Sequence, residues 1–410
     1  KMAEDSRTKY PGHDYLFTQA DIYIYKLDYE FSIIGYYHNP ENVDMKSVCM
    51  KVISCPLVDG GIFRNVLSNY KFYSQRLDKY ALKIDPKNLQ LLESIGSTIE
   101  GLDNGGEFVS SSPSLCIDDD GDLVVCLRYV NYRIDDKGGY VNHEHITTKN
   151  VIRSILGGGR NDPRDTVWED NGISGTEYEL QYDDKYNGRY VGIEDVRIMY
   201  HGGNILYNGN RGFDNSTERP GEPHRDDFTM GVEHGTIEWY PGSIGTKNSK
   251  ILYYEKERHL EKNWVLFTGK DGKLNCVYKW NPLTIGEIDQ EAGVFKEKVV
   301  LEGMPQFFHD LRCSTNGVVV DNEIWFICHI VSYEDRRYYY HVFVVLDRDT
   351  FALKRYTPLW TFEKEKVEYT LGFVYYPKTD LFLIGYSVMD SKTKYMLLDK
   401  LSVERMMICV

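Results

Sequence analysis

Much is absent from this sequence. No run approaches the roughly 18 apolar residues that a membrane-spanning helix needs. The opening residues, Lys1-Met2-Ala3-Glu4-Asp5, carry no apolar signal-peptide core. The eight cysteines are scattered, with no CxxC pair and no His/Cys spacing suited to a metal, so neither a metal nor an organic cofactor is expected. Cys126 and Cys328 lie inside apolar runs and read as reduced core thiols. Together these absences point to a cytoplasmic protein with no membrane span. A basic surplus is also missing. The net charge is −14, which argues against a general nucleic-acid partner while leaving room for a local basic pocket. Gly157-Gly158-Gly159-Arg160 lacks the Lys-Ser/Thr of a phosphate loop and reads as plain loop. Long amphipathic helical periodicity is nearly absent.

Short strands with turn signals are present instead, and the 33 tyrosines suit half-buried strands and sugar-facing surfaces. Residues 1–20 read as a polar arm. Asp21 to Leu27 and Phe31 to Tyr37 read as strands. Residues 41–100 are irregular, and Leu67 to Asp85 fits helix or strand equally. From about residue 105 the pattern sharpens. Pro113 to Ile117 is a strand, Asp118-Asp119-Asp120-Gly121 a turn, and Leu123 to Arg133 the returning strand. Later strands pair in the same way, among them Glu323 to His329 with Tyr338 to Leu346. Strand-plus-polar units recur roughly every 60–70 residues. The expected fold is all-β, a five-bladed β-propeller, with a pair of β-sandwiches as the alternative. Residues 1–100 would supply the arm and strands that complete the propeller, and residues 101–410 the propeller itself. Residues 135–190 and 209–235 are long polar loops of the kind that cover sites.

The chain centres on Gly192-Ile193-Glu194-Asp195-Val196-Arg197, which leads into the apolar Ile198-Met199. Strand alternation would send Glu194 and Asp195 to opposite sides and put Arg197 on the side of Asp195. An arginine there would hold the carboxylate charged, or would grip an anionic ligand. A solvated ion pair on a surface hairpin is the plainer reading.

This stretch resembles the Gly-x-Glu-Asp-Pro-Arg motif of glycoside hydrolase family 130, the mannoside phosphorylases and hydrolases. Glu261-Lys262-Asn263-Trp264 is similar to that family's Lys-Asn segment, and Leu311-Arg312-Cys313-Ser314 to a degenerate Arg-Gly-Ser. Leu371-Gly372 through Tyr386-Ser387-Val388-Met389-Asp390 resembles its closing blade. The strand Arg128 to Arg133 and the Tyr-Tyr-His at 339–341 are similar to propeller domains of large DNA viruses and bacteria, some associated with glycosyltransferases. The resemblance spans roughly residues 105–400. Val196 replaces the motif's proline and Cys313 a glycine, departures that fit a diverged site.

The resemblance implies an enzyme acting on a β-mannoside or related glycoside by inverting phosphorolysis, hydrolysis or glycosyl transfer. Its partner would be an oligosaccharide or sugar phosphate, with inorganic phosphate as the co-substrate of phosphorolysis. Asp195 would be the general acid, acting on the leaving oxygen directly or through a sugar hydroxyl, beside Glu194. A phosphorylase needs a cationic cradle rather than a second carboxylate base. Arg128, Arg197, Lys262, Lys279, Arg312, His329 and His341 are candidates for that cradle or for substrate contacts. Asn131, Asn263, Asp310 and Glu368 are further candidate contacts. Trp264, Trp280 and Tyr132 would stack on sugar rings, or else fill the core. The alternative function is a non-catalytic carbohydrate-binding or scaffold propeller, in a virion or in glycosylation machinery.

Overall fold

The structure is a computed structural model that describes residues 19–38, 43–102, 107–141, 145–168, 176–184, 189–212, 230–256, 260–334 and 337–409. Most of the 209–235 loop expected to cover a site lies outside these residues.

Strand dominates, but the chain is not all-β. The two strands expected between Asp21 and Tyr37 are helical. A π-helical segment, Ile22–Lys26, runs directly into α1, Leu27–His38. The physical reason is the buried face. Asp28, Ser32 and Gly35 are the buried residues of α1, spaced four and three apart, while Ile34, Tyr36 and Tyr37 are exposed. β-Propensity attaches to the residues that face outward, and packing overrides it. At Gly35 an added Cβ would lie 2.5 Å from Met45 Cε, so the glycine admits the helix that follows. That helix is α2, Met45–Ser54, capped by Asp44, whose carboxylate accepts from Lys46 N–H. Next come α3, Gly60–Asn69, capped by Asp59, and α4, Pro86–Glu93, capped by Asp85 with proline in its first turn.

Five antiparallel meanders follow among the described residues. The first is β1 Val109–Ile117, β2 Leu123–Val130, β3 Ile146–Ile155 and β4 Tyr178–Gln181. The second is β5 Ile193–His201, β6 Asn204–Gly212, β7 Met230–Tyr240 and β8 Ser243–Ile251. The third is β9 Val265–Thr268, β10 Leu274–Trp280, β11 Leu283–Asp289 and β12 Val294–Leu301. The fourth has β13 Arg312–Cys313 and β14 Val318–Val320 on one side of β15 Glu323–Tyr333, then β16 Arg337–Asp347 and β17 Leu353–Tyr356. The fifth is β18 Glu368–Tyr376, β19 Leu381–Val388 and β20 Lys392–Asp399. At their outer edges the first two meanders merge, because β4 pairs parallel to β8 through Leu180 and Ile244.

The leading strands touch one another in a closed circuit. β1 packs on β5 and β18, β9 on β5 and β14, and β14 on β18. Polar side chains tie this ring together. Ser114 Oγ accepts from Ile198 N–H at 2.9 Å, and Ser112 Oγ lies 2.7 Å from Ser387 Oγ. Asn316 bridges three meanders, accepting from Leu266 N–H and donating to the Ile198 carbonyl. Backbone groups between non-pairing strands need such partners.

The helices belong to this core. Met50, Ile53, Phe63, Val66 and Leu67 pack with Trp280, Phe307, Phe326 and Val344 in one apolar cluster. Trp264 and Trp280 are buried at 1% exposure each; Trp264 is a core residue, and Trp280 packs in the core while also lining a cavity. Trp264 Nε1 donates to Glu261 Oε2 at 3.0 Å, and Trp280 Nε1 to Cys313 Sγ at 3.0 Å.

Candidate functional site

The site begins at an irregularity in β5. Between Glu194 and Arg197 the strand advances three residues, while its partner β6 advances two, from Asn210 to Asn208. The extra residue makes a β-bulge, and Asp195 absorbs it with φ of 54°. Aspartate tolerates this left-handed region better than most residues. Two glycines permit the bend. Gly192 has φ of 91°, and a Cβ there would lie 2.2 Å from the Thr148 carbonyl oxygen. Opposite the bulge, a Cβ on Gly209 would lie 2.4 Å from Ile193 Cγ2.

The bulge overturns the expected alternation. Glu194 and Asp195 do not point to opposite sides, because both meet one guanidinium. Arg128, on β2 of the neighbouring meander, donates from Nη1 to Asp195 Oδ1 at 2.8 Å and from Nη2 to Glu194 Oε1 at 3.2 Å. Lys262 Nζ donates to the other oxygen of Glu194 at 2.9 Å. Arg197 does not pair with the Asp195 carboxylate. Its Nη1 donates to the Asp195 carbonyl oxygen at 2.9 Å, Nε to the Ser314 carbonyl at 2.6 Å, and Nη2 to Asn263 Oδ1 at 3.0 Å and Tyr369 Oη at 2.9 Å. It fixes the bulge and gathers four meanders at one point. The second oxygen of Asp195 faces Asn210 Nδ2 at 3.3 Å and Tyr369 Oη at 3.4 Å. Asn263, with φ of 63°, turns its N–H toward Asn210 Oδ1 at 3.4 Å.

The two carboxyl groups are driven apart in acidity. Burial pushes Glu194 up, but Lys262 and Arg128 outweigh it and hold the carboxyl down at about 2. For Asp195 burial dominates. Arg128 opposes it and the charge on Glu194 adds to it, so the net shift is upward. Burial would lower Lys262, but Glu194 raises it overall. One carboxylate is therefore fixed as an anion while its neighbour is made easier to protonate, the division seen when one member of a pair works as an acid.

Beside this network opens a cavity of about 630 Å³. Lys262 and Asn263 line it, and so join the carboxylates to the open space. Lys279, Asp310 and Arg312 line the same cavity, with Cys313 behind them. Four candidates are not among the residues that line it. Asn131 closes a local loop, accepting from Thr147 N–H at 2.8 Å and donating to the His145 carbonyl at 3.0 Å. His341 is fully buried between the rings of Trp360 and Phe362, where burial lowers it to about 3 and keeps it neutral. Glu368 is fully buried and accepts from the N–H groups of Phe362, Glu363 and Glu365, which makes it the clamp of a loop. His329 is a packed histidine, with Nδ1 2.8 Å from Ser314 Oγ.

Sequence reasoning missed Tyr369, Asn210 and Arg64. Tyr369 sits one residue after the singled-out Glu368, and strand alternation aims it at the site instead. Tyr132, expected as a stacking ring, is buried at 1% exposure. Its hydroxyl accepts from Arg128 Nη2 and donates to Asp390 Oδ2 at 3.1 Å. Arg64 reaches the cavity from α3, in a segment with no sequence signature for a site.

No family model matches the sequence, and no curated protein matches it. Among solved structures the chain is similar to a β-1,2-mannobiose phosphorylase from Listeria innocua, at a TM-score of 0.46 and 11% identity over 73% of this chain and 93% of that one. It is also similar to a mannose phosphorylase from Leishmania mexicana solved with phosphate ion, at 0.40 and 11% over 73% of this chain and 86% of that one. A third likeness is to a GDP-Man-dependent mannosyltransferase from Leishmania mexicana, at 0.40 and 12% over 73% of this chain and 87% of that one.

Proposed function

We propose that the protein is a carbohydrate-active enzyme that cleaves or forms a β-mannoside or related glycoside with inversion, and that its five meanders are the blades of a five-bladed propeller. The reading rests above all on one observation. Arg128 joins a carboxylate fixed as an anion to a carboxyl group made easier to protonate, beside a cavity of about 630 Å³. Asp195 is the general acid in this reading. It gives its proton to the leaving glycosidic oxygen, directly or through a sugar hydroxyl, and Tyr369 and Asn210 hold its second oxygen in place.

The charge balance favours a phosphorylated nucleophile or donor over water. With Asp195 protonated, the three cations Arg128, Arg197 and Lys262 face Glu194, bonded to two of them, and Asp390, reached from Arg128 through Tyr132, which still leaves an excess of positive charge for a phosphate to neutralise. Hydrolysis with inversion would instead call for a base carboxylate roughly 6.5–9.5 Å from the acid. Glu194 shares a guanidinium with Asp195 and is held as an ion-pair partner, which suits it poorly to that work.

Burial favours a second reading, a sugar-binding module without catalysis. Glu194 and Asp195 are each only 8% exposed and already bonded, and Val196, in the place of the motif's proline, is core. Phosphate release and consumption with mannose 1-phosphate and a panel of sugar acceptors, run beside Asp195→Asn, separates the two. The enzyme reading expects turnover that falls by about 10²–10⁴-fold in the variant. Sugar binding with no turnover in either protein would replace it with the binding module.

A further inference from the structure

We propose that the cavity beside Lys262 binds an anionic group carried by the substrate away from the bond at Asp195, a phosphate or carboxylate on a distal sugar, with Arg64, Lys279 and Arg312 as its recognition residues. The sugar part of this inference rests on the glycoside-active reading; the anion part stands on the cavity itself.

The first observation is charge. The chain carries −14 overall, yet Arg64, Lys262, Lys279 and Arg312 all line this one cavity. Two carboxylates line it as well. Glu261 is buried and engaged, accepting from Trp264 Nε1 at 3.0 Å and Tyr278 Oη at 2.9 Å. Asp310 is exposed at the rim, beside His309. Elsewhere on the surface, lysines find carboxylates: Lys247 with Glu238, Lys256 with Glu297, Lys296 with Asp289 and Lys394 with Glu363. Among the described residues, the side chains of Arg64, Lys279 and Arg312 have no ion-pair or hydrogen-bond partner. Three unpaired cations converging on one concavity raise the local potential and draw anions into it.

The second observation is separation. Arg128 and Arg197, which hold the carboxyl groups, are not among the cavity's lining residues, and Lys262 is the cation common to both places. Arg64, Lys279 and Arg312 thus form a set distinct from the charges around Asp195. At about 630 Å³ the cavity lies within the roughly 300–1,000 Å³ that holds a molecule of several rings. A group bound there would be a distal part of a larger glycoside.

The third observation is rigidity. Arg64 stands on α3, whose Phe63, Val66 and Leu67 are built into the core of the third and fourth meanders. The chain after α3 is pinned by Lys71, which pairs with Glu334 at 2.6 Å and lies over the Tyr338 ring at 4.9 Å. The helical segment is therefore a fixed wall of the cavity, so binding has to order the arginine side chain but not the backbone that carries it.

Calorimetric titration of the full chain carrying Asp195→Asn tests this apart from turnover. The probes are neutral mannobiose, the same disaccharide as its 6-phosphate, a mannuronate-containing disaccharide, and inorganic phosphate alone. The expected result is that one or both charged disaccharides bind about tenfold tighter than the neutral one. Arg64→Ser, Lys279→Ser and Arg312→Ser should each lower the ratio of charged to neutral affinity, and added salt should narrow it. The phosphate and uronate arms tell which anion the cavity takes. Equal binding of neutral and charged disaccharides, or a preference untouched by the three variants, overturns the inference. So does a preference abolished by saturating inorganic phosphate in the triple variant as fully as in the parent, since it would then belong to the charges around Asp195. A preference that persists in a protein with no turnover on any donor would remove the proposed reaction and leave the anion site standing.

Discussion

Arg128 and Asp195 meet across the boundary between the first and second meanders, with Nη1 of the arginine 2.8 Å from Oδ1 of the aspartate, although they stand 67 positions apart in the chain. The same guanidinium takes Glu194, so one buried cation sets the position and the acidity of both carboxyl groups.

Removing that cation should be costly. Arg128→Met leaves two carboxyl groups facing a buried void, and loss of one partner from a buried ionic cluster costs about 3–5 kcal/mol. Urea unfolding should show a midpoint lowered by that loss divided by the slope, with the slope unchanged. Stability equal to wild type would mean the cluster is open to water in solution.

The pH dependence follows from the opposite shifts of the pair. Glu194 is held at about 2, below its ordinary 4.5, so its contribution to stability is present above the unfolded value and is lost as pH falls from there through about 2. Asp195 is raised, so its contribution is present at low pH and is lost as pH rises through its folded value. As an acid it stops working over that same rise. Glu194→Gln removes a neighbouring negative charge and should move the alkaline limb of the rate profile to lower pH. A limb that stays in place, or moves up, would assign the acid to another group.

Glu368 should behave as a clamp. Its two oxygens accept from three backbone N–H groups, and an amide offers only one oxygen. Glu368→Gln leaves at least one buried donor facing an NH₂ group, at a cost of about 1–3 kcal/mol. Thermal unfolding should show the loss, and turnover per folded molecule should not change. A fall in turnover without a loss of stability would return Glu368 to the site.

Gly209 should be intolerant of any side chain. A Cβ there would collide with Ile193 and press on the Glu194 carbonyl, which is 3.2 Å away. Gly209→Ala forces the bulge to relax, at about 1–3 kcal/mol for overpacking, and should disturb Asp195. The expected outcome is a lower melting temperature together with reduced sugar binding. Alanine at wild-type stability would show that the bulge is not held from the β6 side.

Local chemistry was readable without a structure. Strands such as Pro113 to Ile117, the hairpin of Glu323 to His329 with Tyr338 to Leu346, and Leu381 to Ser387 emerged from period-two patterning and turn residues, which act over a few positions, whereas residues 135–190, which read as polar loop, hold the strands Ile146–Ile155 and Tyr178–Gln181. Glu194, Asp195 and Arg197 stood out by residue type, and Lys262 and Asn263 through the family resemblance. The rest depended on neighbours remote in sequence. Asp21 to Tyr37 looks like strand by residue type, yet it is helical, because a small and polar face of Asp28, Ser32 and Gly35 packs inward. Asp195 and Glu194 share a side only because Gly209 makes room for a bulge and Arg128 reaches across from another meander. His341 and Glu368 look like site residues by type, but burial and backbone partners employ them elsewhere. The sequence by itself determined strand content, turns and the residues able to do chemistry, since these rest on intrinsic preferences. Which of those residues meet was decided by tertiary packing, because long-range contacts and burial set both side-chain direction and acidity.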